Sequence, residues 1–368
     1  MQRIAIIGLG LIGGSIGLAL KRANLPDAEI VGVARTRDTV QRAKKIGAID
    51  KDERLPEDAV RGARVVIIAS PILTIPRILD EIAPALEEGA IVTDAASTKG
   101  AVMRWAKEKL PANVHFVGGH PMAGKTQSIE GAEADLFQGA TWFLTPVTET
   151  DPARYRTLHA FVSALGAVPL AVAPQAHDRL LAITSHLPHA LANLLLNHAG
   201  TTRVNGHEAL AAAGGSLKDM TRVAGANPRI WVDIFLENAD ELRASLGEHR
   251  RRVEELERAL DAGDAGYLAR WIGEAAVNRR LLLDVAYPDA GALQRLTVHV
   301  PDRLGVFAGI TQALAAERIN IEDFEVRHMS PERGGTLDIL VTGEAQARRA
   351  ADVLEGQGYS VILAPAFE

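Results

Sequence analysis

Arg3-Ile4-Ala5-Ile6-Ile7 runs directly into Gly8-Leu9-Gly10-Leu11-Ile12-Gly13 and on through Gly14-Ser15-Ile16-Gly17-Leu18-Ala19-Leu20, and this stretch decides the fold. Its first residues are a short apolar run rich in β-branched side chains, which reads as a buried strand. Apolar residues then continue at helical spacing from Leu11 to Leu20, so the glycines mark a strand-to-helix turn. In a GxGxxG turn the first glycine permits a tight bend and the second lets the backbone approach a pyrophosphate. The third lets the helix pack on the strand, with its N-terminus facing the anion. Gly8, Gly10, Leu11, Ile12 and Gly13 are therefore read as a dinucleotide-binding turn.

Working outward, the next strand, Glu29–Val33, should end on a carboxylate if the ribose 2′-hydroxyl is bound in the usual way. The residues there are Ala34-Arg35-Thr36-Arg37. With no carboxylate to repel a 2′-phosphate and two guanidinium groups able to pair with one, Arg35, Thr36 and Arg37 tilt the site toward NADP and leave NAD open. Further candidate strands are Arg64–Ala69, Ala90–Asp94, His115–Gly118, Thr141–Thr145 and Val168–Ala173. Helical patterns near 12–24, 37–47, 72–86 and 99–110 alternate with the first five strands. This is the pattern of a Rossmann-type, doubly wound parallel α/β sheet covered on both faces, over 1–174. Ser70 and Pro71, directly after Arg64–Ala69, join the cofactor-side set.

From 175 to 290 the strand signal disappears and apolar residues recur at three- and four-residue spacing, as in the run from Trp231 to Leu260. This predicts an all-helical second domain, and helical additions to nucleotide-binding domains often build dimer interfaces, so a homodimer or higher homo-oligomer is expected. After a linker at Tyr287–Gly291 the pattern changes again. Leu296–Val300 alternates as a strand, Gly305–Glu317 is helical, Ile321–Arg327 and Thr336–Thr342 are strands, Ala345–Gln357 is helical and Ser360–Leu363 is a strand. The order βαββαβ over 292–368 is that of a ferredoxin-like unit.

A chain of 368 residues predicts two or three domains at roughly 100–200 residues each. Lys plus Arg number 40 against 46 Asp plus Glu, a net charge of −6 with no block of one sign, which argues against nucleic acid or an anionic membrane surface as partner. The absence of cysteine excludes disulfide scaffolds, thiolate metal sites and cysteine nucleophiles, and it fits a reducing, cytoplasmic location. Two apolar stretches mimic membrane or export signals. Residues 4–20 are glycine-rich and lack a small-x-small cleavage site. Residues 180–202 carry no Asp, Glu, Lys or Arg, yet they hold His186, Pro188, His189, Asn193, Asn197 and His198, which are expensive in lipid. The second stretch is read as a buried helix carrying polar site residues.

Ligands of a doubly wound sheet sit outside the carboxyl ends of its strands. Asp94-Ala95-Ala96-Ser97-Thr98-Lys99-Gly100 and Gly118-Gly119-His120-Pro121-Met122-Ala123-Gly124 fall there. Pro121 biases His120 toward an extended conformation, and a histidine near Ser97 can handle a proton at neutral pH. Spacing alone does not separate this from a loop histidine with satisfied hydrogen bonds. His186 and His189 are three apart, but Pro188 disrupts the local helix and no third ligand is obvious, so no metal site is read. Lys218 and Arg222, within Gly214-Gly215-Ser216-Leu217-Lys218-Asp219-Met220-Thr221-Arg222, are four apart. On one helix face they suit a substrate with carboxylates, the alternative being a solvated surface pair.

The residues 8–20, 94–100, 118–124, 184–195 and 214–238, in this order, resemble the prephenate dehydrogenase family of tyrosine biosynthesis, and Leu296–Val306 resembles the opening of an ACT domain. The resemblance covers nearly the whole chain, and GGHPMAG and KDMTR are its most specific motifs. It implies hydride transfer from prephenate to NAD or NADP, giving 4-hydroxyphenylpyruvate and carbon dioxide. It makes His120 the catalytic hydrogen-bond acceptor and Ser97 its partner. Arg222 becomes the holder of a substrate carboxylate, and His189, Lys218, Gly215 and Lys125 fall on pocket positions. Many relatives follow GGHPMAG with Ser or Thr and then Glu, whereas this chain has Lys125-Thr126. The carboxylate that would meet an amino group is gone, which favours prephenate over arogenate. Asp302, Arg303, Leu304, Gly305 and Val306, with Asn320 and Ile321 at the start of the next strand, match the effector site of ACT domains, and tyrosine is the expected effector by pathway logic. An NADP-dependent arogenate dehydrogenase is the alternative within the same chemistry. A non-catalytic sensor would have lost the catalytic set, and His120, Ser97, Lys218 and Arg222 are all present.

Overall fold

The structure, a computed structural model, describes residues 2–23, 28–124, 128–286, 293–330 and 334–366. Strands and helices alternate first: β1 (Gln2–Ile7), α1 (Leu11–Arg22), β2 (Ala28–Val33), α2 (Arg37–Lys45), β3 (Lys51–Asp52), α3 (Pro56–Val60), β4 (Ala63–Ile68), α4 (Ile75–Ile82), β5 (Ile91–Asp94), α5 (Gly100–Lys109) and β6 (His115–Phe116). The strands form one parallel sheet in the order β3-β2-β1-β4-β5-β6. Side chains of β1 alternate between two cores. Ile4 and Ile6 pack with Ile16, Leu20 and Ile30, and Ala5 and Ile7 pack with Val31, Val66, Ile68 and Leu79. A strand that must be apolar on both faces reads as a continuous hydrophobic run, which is why the sequence makes it so legible. The edge strand β3 and the short helix α3 were not predicted, being too brief to establish a period.

The expected strand His115–Gly118 is in fact two. The chain breaks at Val117, and β7 (Gly118–Pro121) leaves the parallel sheet to pair antiparallel with β8 (Thr141–Thr145), which after α6 (Pro152–Ala164) runs parallel to β9 (Val168–Ala171). A Cβ on Gly119 would stand 2.5 Å from the Asp94 carbonyl oxygen, so only glycine lets β7 pass this close to the end of β5.

The helical region comprises α7 (Pro174–Leu181), a π turn at Ala182–His186, α8 (Leu187–Thr201), a two-residue hairpin of β10 (Arg203–Val204) and β11 (His207–Glu208), α9 (Gly215–Met220), α10 (Pro228–Glu237), α11 (Ala239–Asp261) and α12 (Ala265–Ala286). The hairpin interrupts a stretch expected to hold no strands. Pro188 does not break the helix as expected. It occupies the first turn of α8, where its missing N–H costs little, and the widened π turn precedes it. Nor is 180–202 wholly buried: His186, His189 and Ala192 are, but Ile183 and Leu194 are 51% and 60% exposed. Among the described residues no helix is long and apolar enough to cross a membrane.

Last come β12 (Leu293–Val300), α13 (Val306–Ala316), β13 (Asp323–Ser330), β14 (Gly334–Thr342), α14 (Glu344–Gly356) and β15 (Ser360–Pro365). Their antiparallel sheet, β13-β14-β12-β15, and the core of Leu296, Val298, Ile310, Leu314, Ile339 and Leu354 complete the predicted βαββαβ unit. Asp302, Arg303, Leu304 and Gly305 are exposed between β12 and α13, with Gly305 at φ +86°, and Val306 is buried as the first residue of α13. Asn320 and Ile321 precede β13 instead of opening it, and the Asn320 amide donates to Glu322 Oε1 at 2.8 Å. By packing, the chain divides into Met1–Glu208 with Met220–His249, and Ala209–Asp219 with Arg250–Glu368.

Candidate active site

The nucleotide side is built from backbone. Gly8 sits at φ +101°, and a Cβ there would come within 2.5 Å of the Ala69 carbonyl oxygen and 2.9 Å of the Ser70 nitrogen. A Cβ on Gly13 would fall 1.9 Å from the Gly8 carbonyl oxygen, whereas Gly10 faces open space. These are the three roles expected of the turn: tight bend, room for a ligand, and helix packing. Gly10 caps α1 without a side-chain hydrogen bond, so no side chain occupies the place where a pyrophosphate would meet the helix N-terminus. Ser70 is half-buried and accepts from the Thr74 hydroxyl at 2.9 Å, while Pro71 beside it is exposed. Arg35 and Arg37 are exposed and form no ion pair among the described residues. Thr36 caps α2 by accepting from the Thr39 N–H at 3.3 Å. The residues fit a dinucleotide.

At the end of β5, Asp94 and Lys99 are both wholly buried and form an ion pair. Asp94 Oδ1 accepts from the Gly119 N–H at 3.1 Å, and Oδ2 accepts from the Ala96 N–H at 2.9 Å and from the Lys99 ammonium. Gly119 and Ala96 immediately precede His120 and Ser97, so one carboxylate fixes both segments that the sequence singled out. Burial pushes the Lys99 ammonium below its ordinary pKa, and the Asp94 carboxylate opposes that shift.

His120 lies in β7, held extended as Pro121 predicts, and is only 8% exposed. Its Nδ1 is 2.9 Å from His177 Nε2, and His177 Nδ1 is 2.8 Å from Asp178 Oδ1. Burial holds the His120 imidazole well below the usual histidine range, and His177, Lys99 and His186 push the same way. His120 is therefore neutral at pH 7 and able to accept a proton.

A second histidine holds an unpaired nitrogen. Asn193 Nδ2 lies 2.9 Å from His189 Nδ1 and can only donate, so the neutral His189 ring carries its proton on Nε2. That Nε2 is buried without a partner among the described residues, and burial lowers the imidazole's pKa. A buried unpaired donor costs about 1–3 kcal/mol, so it calls for an acceptor such as a carboxylate or keto oxygen. The His189 ring stacks on Trp231 at 3.6 Å and 22°. Trp231, expected only as an apolar helix residue, thus forms one wall of this position.

The expectation that Lys218 and Arg222 share a helix face is not met. α9 ends at Met220, so Arg222 lies in the following turn, and the two residues fall in different packing units. Lys218, Gly215 and Arg222 are all exposed. Lys125 and Thr126 lie outside the described residues. His177, Asp178 and Asn238 were missed: the first two stand in no recognisable motif, and no spacing marks Asn238, the final residue of the 214–238 stretch. The last donates to the Asp178 carbonyl oxygen at 2.8 Å and lies 3.0 Å from His186 Nδ1. Among the described residues no group of three or more His, Asp or Glu is arranged to hold a metal ion.

Burial lowers the His186 imidazole from 6.5 to about 4, against an opposing pull from Asp178. Between those pH values the unfolded chain binds more protons than the folded one. Stability is therefore full above pH 6.5 and falls as the pH drops toward 4, with His186 contributing at most about 3 kcal/mol. The melting temperature is expected to fall between pH 7 and pH 4.5, and to fall less in His186→Gln. An equal drop in the variant would contradict this assignment.

A dinucleotide turn at one strand end and a neutral proton acceptor at another are what hydride transfer requires, and the chain is an NAD(P)-dependent dehydrogenase. Residues 16–170 match the nucleotide-binding domain of prephenate dehydrogenase, 173–274 its dimerization domain, and 294–358 the ACT domain. The prephenate dehydrogenase of Bacillus subtilis is 33% identical over 356 residues, 96% of each chain. The structure of prephenate dehydrogenase from A. aeolicus in complex with hydroxyphenyl propionate and NAD+ matches with a TM-score of 0.71 and 29% identity, covering 77% of this chain and 98% of that one. Synechocystis arogenate dehydrogenase matches at 0.69 and 30%, covering 76% and 99%. The chain belongs to the prephenate dehydrogenase family and carries an ACT domain.

Proposed function

We propose that the enzyme converts prephenate to 4-hydroxyphenylpyruvate and carbon dioxide, with the neutral, buried His120 as the observation that carries this reading. Bound at Gly8, Gly10, Leu11, Ile12 and Gly13, the nicotinamide dinucleotide supplies the hydride acceptor. As hydride leaves the ring carbon bearing the hydroxyl, His120 Nε2 holds the hydroxyl proton. The bond to the ring carboxylate breaks, carbon dioxide departs, its electron pair aromatises the ring, and the proton returns to the phenol oxygen. Ser97, on the segment tied to the same Asp94, orients that hydroxyl. His189 Nε2–H meets an acceptor on the substrate and the Arg222 guanidinium suits a carboxylate, while Lys218, Gly215 and Lys125 are the further substrate-binding residues that the family resemblance assigns.

The exposed Arg35 and Arg37 favour NADP without excluding NAD. The pair Lys125-Thr126, with no carboxylate and with an ammonium, supports prephenate over arogenate. The family's dimerization domain and the apolar exposure of Ile183 and Leu194 support a homodimer. The exposed turn Asp302–Gly305, with Val306, Asn320 and Ile321, is the candidate effector site, and tyrosine the candidate effector. Initial rates with prephenate and arogenate, each with NAD and NADP, with and without tyrosine, test these readings together. The higher kcat/KM is expected with prephenate, and tyrosine is expected to change the rate. An equal or higher kcat/KM with arogenate would reverse the substrate assignment.

A further inference from the structure

We infer that His177 and Asp178 are positioning residues that set the ring tautomer of His120 and so turn its Nε2 into the acceptor the reaction needs. The inference rests on the reading of His120 as proton acceptor and follows from donor arithmetic. Both Asp178 oxygens are occupied by backbone donors, Oδ1 by the Lys99 N–H and Oδ2 by the Gly100 N–H, each at 2.7 Å. The carboxylate therefore has only acceptor capacity left, and the His177 Nδ1 that lies 2.8 Å from Oδ1 must be the donor. With that hydrogen on Nδ1, the His177 Nε2 lone pair faces His120 Nδ1 at 2.9 Å, so His120 carries its hydrogen on Nδ1. The His120 Nε2 lone pair is left for the substrate, and that nitrogen has no partner among the described residues.

The arrangement is held from several sides. His177 is wholly buried, Asp178 is clamped to the first turn of α5, and Asn238 holds the Asp178 carbonyl. When His120 Nε2 takes the hydroxyl proton, its Nδ1 proton can shift to His177 Nε2, which places the positive charge against the Asp178 carboxylate. The shift reverses when the proton returns to the product oxygen, so no proton is gained or lost. In the opposite tautomer His120 would offer an N–H to the substrate hydroxyl and could not accept from it.

The test uses the full-length enzyme with 15N-labelled histidine and NAD. Long-range 1H–15N correlation should show His120, assigned by the signal lost in His120→Asn, with Nδ1 protonated and Nε2 bare. His177→Leu should mix the two tautomers and lower kcat about a hundredfold or more, with KM for prephenate and the Kd for NAD changed less than threefold. His177→Gln, whose side-chain oxygen can still accept from Nδ1, should recover most of that loss. A wild-type His120 protonated on Nε2 would overturn the inference even if no variant folds, as would a His177→Leu enzyme with unchanged tautomer and kcat. An active His120→Asn enzyme would instead defeat the proposed function, while the tautomer result would stand.

Discussion

Replacing His120 with asparagine is expected to lower kcat by about 10²–10⁴-fold while leaving the Kd for NAD near that of the parent enzyme. The size follows from what is removed. His120 is the buried, neutral imidazole whose Nε2 faces no protein partner among the described residues, and asparagine offers no basic nitrogen to hold the hydroxyl proton. The selectivity follows from position. His120 stands on β7 of the three-stranded sheet, whereas the dinucleotide turn follows β1 of the six-stranded one, so cofactor binding does not depend on the ring. Steady-state kinetics together with NAD titration by fluorescence would check both halves. An enzyme retaining a tenth or more of its kcat would remove His120 from the chemistry. Because burial keeps the imidazole well below the ordinary range, the parent's kcat/KM should stay flat as the pH falls through 6.5 and decline only at more acid values.

The second large effect concerns Lys99. Its replacement by methionine is expected to lower the unfolding free energy by about 3–5 kcal/mol, because it strands the wholly buried Asp94 carboxylate without a counter-charge. For a chain of this size that corresponds to a fall in Tm of roughly 5 °C. Asp94 anchors the segments of both Ser97 and His120, so kcat should fall as well. Adding Asp94→Asn to the methionine variant removes the stranded charge and should return part of the lost stability. Thermal melts of the two single variants, the double variant and the parent give the cycle. A single Lys99→Met variant that melts with the parent would show that the pair contributes nothing.

Prediction from sequence succeeded where local chemistry is strict. The glycines at 8, 10 and 13 announce their turn because each role excludes a side chain at a particular place, and the structure has those close approaches at Gly8 and Gly13 and open space at Gly10. The β1 run and the alternation in Leu296–Val300 announce their strands because burial on two faces or on one imposes different patterns. His120 could be singled out because Pro121 constrains its backbone. Reasoning from spacing failed at Arg222, where a four-residue separation implied a shared helix face although α9 stops at Met220. It failed again at Pro188, whose helix continues through a π turn.

The sequence by itself determined the three kinds of structure and the dinucleotide turn, and it singled out His120 and Ser97, because each is written in contiguous residues. Only the tertiary structure decided that Asp94 bolts those two segments together from a distance of 25 residues at Gly119. It alone joins His120 to His177 across 57 residues, and Asp178 to the start of α5 across 78. Nor could spacing show that Trp231 stacks on His189, or that β7 abandons the parallel sheet. A hydrogen bond between distant segments has no period in the chain. The donor and acceptor arithmetic that turns a histidine into a directed proton acceptor exists only once those segments are packed.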